Sequence, residues 1–269
     1  MNKAFASVVV GLVLGAASAV SASDVSIGGG GFFASDFGGG TEYKAKGSFP
    51  YQGANVTIDN EATTKAPWVG GGAFLFLDAN YVEAFVGFTA GGGKWKQESK
   101  QNQTISYGGQ SQSNNDSDSE EADVSFSALN FGYLLKLPIA LSDKITFFPA
   151  AGIDYQLSVG GKLTYTEELG PNLGDTTITI KWDGEDGPDA DYFSALMFKF
   201  GVGFDFGLTE TIYLRSELLY GIRLASLIEK SMQGGGYIPD EVKDQVDVTG
   251  PRTRLGHGLT VKVGLGFRL

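Results

Sequence analysis

The stretch Gly258-Leu-Thr-Val-Lys-Val-Gly-Leu-Gly-Phe-Arg-Leu269 alternates strictly. Leu259, Val261, Val263, Leu265, Phe267 and Leu269 share one parity; Gly258, Thr260, Lys262, Gly264, Gly266 and Arg268 share the other. A period of two belongs to a β-strand, whose successive side chains point to opposite faces. One face here is large and apolar, the other small with isolated long charges. A solvated face would carry Thr, Lys, Glu or Gln at most positions. The second face is therefore read as lining a narrow interior, and the first as pointing outward.

The same pattern recurs upstream. Leu196, Phe198, Phe200, Val202, Phe204 and Phe206 stand opposite Met197, Lys199, Gly201, Gly203 and Asp205; Ile212, Leu214, Leu218, Tyr220, Ile222 and Leu224 stand opposite Arg215, Glu217, Gly221 and Arg223. Ile145, Phe147, Ala151, Ile153, Tyr155, Leu157 and Val159 face away from Gly152, Asp154, Gln156 and Ser158, and Leu129 to Leu137 alternate with Asn130, Gly132 and Lys136. Weaker runs lie near 24–36, 67–78 and 80–96, the faces of the second being undecided. The connections alternate as well. Asp78-Ala79-Asn80, Pro138 to Lys144 and Gly207 to Thr211 are short, whereas 37–66, 97–123, 160–191 and 225–254 are long and polar. Eight strands joined by alternately short and long links predict an all-β, antiparallel, up-and-down transmembrane β-barrel, with short periplasmic turns and four long acidic extracellular loops. Within the third loop, Leu163-Thr-Tyr165 and Thr176 to Trp182 alternate too, so that hairpin is expected to continue beyond the membrane. Residues 114–123 read as mobile and solvated.

The N-terminus carries Lys3, an apolar stretch Val8 to Ala17 and the small residues Val20-Ser21-Ala22. That is the pattern of a secretory signal peptide over 1–22, cleaved after Ala22, leaving 23–269 as the barrel domain. No later stretch is apolar for the ~18–20 residues of a membrane helix. The chain has no Cys, one His and a net charge of -11. Disulfides, thiolate metal sites and sites needing two histidines are thereby excluded, and the acidity argues against nucleic acid.

Charges inside a narrow barrel must pair. The expected interior network is Asp154, Lys199, Asp205, Arg215, Glu217, Arg223, Lys262 and Arg268, serving as a plug or a gate. Lys199, Glu217 and Lys262 lie at similar depth, so Glu217 is expected to bridge the two lysines, with Arg215, Asp154 and Arg268 nearby. No catalytic, cofactor or metal residue is expected. His257 has no Ser or Thr two residues on and reads as an interfacial ring. The Asp116 to Glu121 run lacks the glycine turn of a calcium loop, the glycine runs lack the Lys-Ser/Thr of a phosphate cradle, and Trp68, Trp95 and Trp182 read as an interfacial girdle.

The closing strand, with Val263, Leu265, Phe267 and Leu269, resembles the C-terminal signal by which outer-membrane barrels are recognised by the assembly machinery, though it ends on Leu269 where that signal has an aromatic residue. With the leader and the loop alternation, the chain resembles the small eight-stranded outer-membrane barrels of the OmpA, OmpX and OmpW type. The resemblance implies a location in the cell outer membrane, with the lipid and the assembly machinery as partners and an extracellular ligand reached through the loops. OmpA-type chains often carry a periplasmic peptidoglycan-binding domain, a function not expected here because the last alternating run is the eighth strand, and the interior charges fit poorly with the apolar lumen of OmpW-like barrels. Two functions follow: a structural or surface-interaction protein, adhesin- or receptor-like, and alternatively a narrow channel for small solutes or ions gated by lumen charges. A lipid enzyme lacks a nucleophile and base.

Overall fold

The computed structural model describes residues 25–37, 40–168, 175–183, 194–226, 246–254 and 256–269. The expected leader and its Ala22 lie outside the described residues. Among those described are thirteen strands: β1 (Val25–Asp36), β2 (Gly40–Tyr51), β3 (Ala54–Lys65), β4 (Trp68–Ala79), β5 (Val82–Tyr107), β6 (Gln110–Lys136), β7 (Ile139–Ser142), β8 (Ile145–Glu168), β9 (Asp175–Asp183), β10 (Ala195–Gly207), β11 (Ile212–Ser226), β12 (Val246–Arg254) and β13 (His257–Arg268). All pairings are antiparallel. They run β1–β4, β4–β5, β5–β6, β6–β8, β8–β10, β10–β11 and β11–β13, and β13 pairs back to β1, so these strands close a ring. A closed ring leaves no unpaired edge, which satisfies the backbone donors and acceptors without solvent.

The ring strands are the alternating runs of the sequence, and the parities fall as their side chains require. Lys262, Thr260, Lys199, Glu217, Asp154 and Asn130 are buried inside. Leu75, Leu135, Phe200, Leu218, Val263 and Leu265 are exposed on the outside. β4 shows why its faces resist a sequence reading: Phe74 and Phe76 are buried within while Val69 and Leu75 are exposed without, so both parities are apolar.

The segments expected as loops are largely strands. β5 and β6 pair continuously from Val82–Leu135 out to Tyr107–Gln110, and the 26 residues of β5 extend roughly 85 Å at about 3.3 Å per residue. Residues 114–123 are thus part of one strand of a hairpin, exposed but for the buried Ala122, held by the β5 ladder, and not a free loop. β2 and β3 fill most of 37–66 and dock on the β5 extension, with β12 on the far side of β2. The two alternating stretches of the third loop pair as β8 and β9, Leu163 opposite Ile180 and Tyr165 opposite Ile178. Within 37–66, Glu42, Asp59 and Glu61 are matched by Lys44, Lys46 and Lys65, so the first of the four connections is not acidic. The short link Pro138 to Lys144 holds β7, paired to β8.

Candidate functional site

The site is the interior of the ring, and it begins with glycine. Phe76 lies opposite Gly28, Phe85 opposite Gly132, Phe148 opposite Gly203, and Tyr213 opposite Gly266 in the strand registers. A Cβ added to those glycines would meet the facing ring at 2.3, 2.4, 2.2 and 2.1 Å. Each ring therefore lies over the bare backbone of its neighbour, which is how four large aromatics fit into a ring expected to hold mainly small residues. With Phe74, Leu134, Ala150 and Leu219 they form one buried apolar cluster.

Charges thread this cluster. Arg215 donates from Nε and Nη2 to the two oxygens of Asp205 at 2.7 and 2.6 Å, and from Nη1 to Glu83 Oε2 at 2.6 Å. Its Nη2 also meets Asp78, which accepts from Lys136 Nζ at 2.5 Å. The guanidinium carbon sits 4.8, 5.2 and 5.1 Å from the ring centroids of Phe76, Phe148 and Tyr213. One rung further out, Lys262 Nζ stands 3.1 Å from Glu217, 3.5 Å from Glu83 and 3.8 Å from the centre of the Phe85 ring. Lys199 pairs with Asp154 at 2.5 Å, and Arg223 with Asp36 at the outer end. Six carboxylates (Asp36, Asp78, Glu83, Asp154, Asp205, Glu217) thus face five cations (Lys136, Lys199, Arg215, Arg223, Lys262), nearly neutral within a low-dielectric interior.

Of the expected network, Asp154, Lys199, Asp205, Arg215, Glu217, Arg223 and Lys262 line the interior, with two departures. Of the two lysines Glu217 meets Lys262 alone, because Lys199 stands opposite Gly221 and Glu217 opposite Gly203 in the β10–β11 register, and Lys199 pairs with Asp154 on β8. Arg268 is outside the network: it is exposed at the mouth, where Nη1 donates to the carbonyl of Glu210 at 3.0 Å. Sequence reasoning missed Asp36, Asp78 and Glu83 as members, and Lys136 was assigned a face but no partner. All but Lys136 sit on the three weak runs; the available signal was their parity once those runs are aligned with their neighbours.

Above the Lys262 rung a cavity of about 20 Å³ is lined by residues including Phe32, Thr89, Asn130, Gln156, Met197 and Thr260. That is space on the order of one water molecule. Trp68 closes the outer side; it points inward and packs edge-on against Phe126 with ring centres 4.9 Å apart, and so does not belong to a lipid-facing girdle. Trp95 packs against the same inner cluster, and the Trp182 side chain lies outside the described residues. His257 does point outward, its Nδ1 2.6 Å from the Tyr220 hydroxyl. Val263, Leu265, Phe267 and Leu269 are exposed on the outer face. In the extended β6, Asp116, Asp118 and Glu120 point to the opposite side from Glu121, so this run does not converge on a cation. No cluster of three or more His, Asp or Glu able to hold a metal occurs among the described residues.

No family model matches the chain, and no curated protein matches it. Among solved structures it is similar to the outer membrane protein OprG from Pseudomonas aeruginosa, at 12% identity and a TM-score of 0.34, covering 92% of this chain and 96% of that one. It is similar to the translocator domain of the autotransporter NalP from Neisseria meningitidis, at 14% identity and a TM-score of 0.21, covering 89% and 88%. It is also similar to the outer membrane protease OmpT from Escherichia coli, at 9% identity and a TM-score of 0.25, covering 91% and 97%. At such scores these likenesses carry no argument about family or function.

Proposed function

We propose that the chain is an eight-stranded outer-membrane β-barrel of the small OmpA, OmpX and OmpW-like kind, with short turns toward the periplasm, and that it acts by display. Its strand-built extensions, on the side of the four long connections, hold an interaction surface outside the cell. Residues 1–22 serve as the cleaved leader, residues 23–269 form the barrel domain, and Val263, Leu265, Phe267 and Leu269 form the strand read by the assembly machinery. The membrane setting is supported by the outward face: large apolar side chains, Leu75 64% exposed among them, stand on the outside of the ring, where a soluble surface rarely gathers so many. The interior network serves as a structural plug in this reading, and no enzymatic role is assigned.

The observation that carries display over conduction is the filled interior. Arg215, the four rings over their glycines and the Lys262 rung fill the inner section, and the cavity beyond Lys262 offers space on the order of one water molecule. The rival reading is a narrow channel whose gate is the same ion network. Planar-bilayer recordings on the refolded chain separate them. Display predicts no conductance above background, whereas unitary steps that change on Arg215→Ala support the gated channel.

A further inference from the structure

The far end of the extensions differs from the rest of their length, where 40–46, 59–65, 94–100 and 116–123 all carry charges. Residues 47–58 and 101–115 contain no Asp, Glu, Lys or Arg, in a protein of net charge -11. These two stretches meet in space. β3 pairs with the β5 extension, Val56 opposite Ile105 and Asn55 opposite Ser106, and the hairpins turn at Gln52-Gly53 and Gly108-Gly109, all four residues at positive φ. The Tyr107 ring stands 3.6 Å from where a Cβ on Gly53 would be.

Cross-strand partners share a face. Phe49, Val56, Ile105 and Gln112 form one such row, and Tyr51, Tyr107 and Gln110 continue it toward the tip. Phe49 and Val56 are buried, but Tyr51, Ile105 and Tyr107 are 50%, 42% and 68% exposed. On the opposite face the hydroxyls satisfy one another: Ser48 with Thr57 at 3.0 Å, Thr104 with Ser113 at 2.9 Å and Ser106 with Ser111 at 2.8 Å. The amides of Gln103, Gln110 and Gln112, beside the tyrosines, make no hydrogen bond to another side chain among the described residues.

We infer that this neutral tip binds an uncharged, pyranose-type oligosaccharide, an inference that rests on the display reading. Tyrosine is rigid and amphipathic, and its ring face suits the C–H face of a sugar, while free amides offer paired donors and acceptors to ring hydroxyls. The absence of charge favours an uncharged ligand over an anionic polysaccharide or a charged protein surface. These aromatic and amide groups lie well past the last β4–β5 pair, Trp68–Gly93, where they contribute nothing to the barrel.

The test uses the full mature chain in micelles and on cells. An epitope inserted between Gly108 and Gly109 reports display: if antibody does not reach it on intact cells, the display reading itself fails. With the epitope accessible, the untagged protein is titrated with neutral hexasaccharides of β-1,4-linked glucose and of β-1,4-linked N-acetylglucosamine. Saturable binding that is insensitive to raising NaCl from about 0.1 to 0.5 M, and lost at least tenfold in Tyr51→Ala/Tyr107→Ala with the barrel still heat-modifiable, is the expected result. Three results would overturn the inference while leaving display intact: binding of neither glycan, equal binding by the double variant, or tip-dependent self-association in place of glycan binding.

Discussion

The ring of Phe148 lies over Gly203, its register partner on the neighbouring strand, so closely that a Cβ there would stand 2.2 Å from a ring atom. The same relationship recurs at Phe76, Phe85 and Tyr213, and it sets how much aromatic volume the interior accepts. Gly203→Ala is expected to destabilise the barrel by about 1–3 kcal/mol through overpacking, and Phe148→Ala by about 3–5 kcal/mol through the cavity left behind. Combining Gly203→Ala with Phe148→Ala should cost less than the sum of the two single changes. Urea midpoints in micelles, arranged as a double-mutant cycle, check this; strict additivity would contradict it.

Arg215 is the largest fully buried side chain among the described residues and binds Asp78, Glu83 and Asp205 together. Arg215→Met leaves Asp205 without a cation and takes the guanidinium from Asp78 and Glu83, which keep Lys136 and Lys262, and should cost on the order of 3–5 kcal/mol. Arg215→Lys should recover little, since an ammonium lacks the fork that grips Asp205 through two nitrogens. Glu217→Gln should cost less than Arg215→Met, because Lys262 keeps Glu83 at 3.5 Å and the Phe85 ring. Thermal melts of the three variants give the ranking, and equal stability of Arg215→Met and wild type would remove the plug.

The outward face is tested by charge. Arg at Leu75 or Val263, near the middle of their strands, should cost about 2–4 kcal/mol. Arg at Thr104, in the extension, should cost nothing measurable. Soluble folding with no penalty at Leu75 would place that face in water.

Beyond the barrel, Lys94 Nζ donates to Glu121 Oε1, and Lys96 Nζ meets Glu98 at 2.8 Å. Those bonds, and then the attraction of the ammonium groups, hold both carboxyls below the usual range and push Lys94 and Lys96 up. The carboxylates' contribution is therefore present above the ordinary carboxyl value and fades as pH falls through their lowered ones; the lysines' contribution is lost only as pH rises through their raised values. Both pairs are exposed, so added salt weakens them. Carboxyl NMR titration should show Glu121 returning to the ordinary range in Lys94→Ala.

Much of this was legible beforehand, and the limits are physical. The ring strands announced themselves where one parity was small, as in β13 with Gly264 and Gly266 between Val263, Leu265 and Phe267. β4 stayed ambiguous because Phe74 and Phe76 occupy the inner parity, and only the glycines across from such rings explain how they fit. The lysine and acid partners were misassigned where depth counted from the short turns was used: in register Lys199 stands opposite Gly221 and Glu217 opposite Gly203, so Lys199 pairs with Asp154 on β8 instead. The extensions looked like loops because their polar strands bury little, and composition carries no mark of the ladder between β5 and β6.

The central claim is a closed barrel whose outer face requires lipid, and gel migration of residues 23–269 refolded into detergent micelles tests it most directly. The account predicts that the unboiled sample migrates apart from the boiled one in SDS, the shifted band vanishing on heating, with circular dichroism dominated by β structure. A chain that folds to a soluble species without detergent and shows no shift would contradict it.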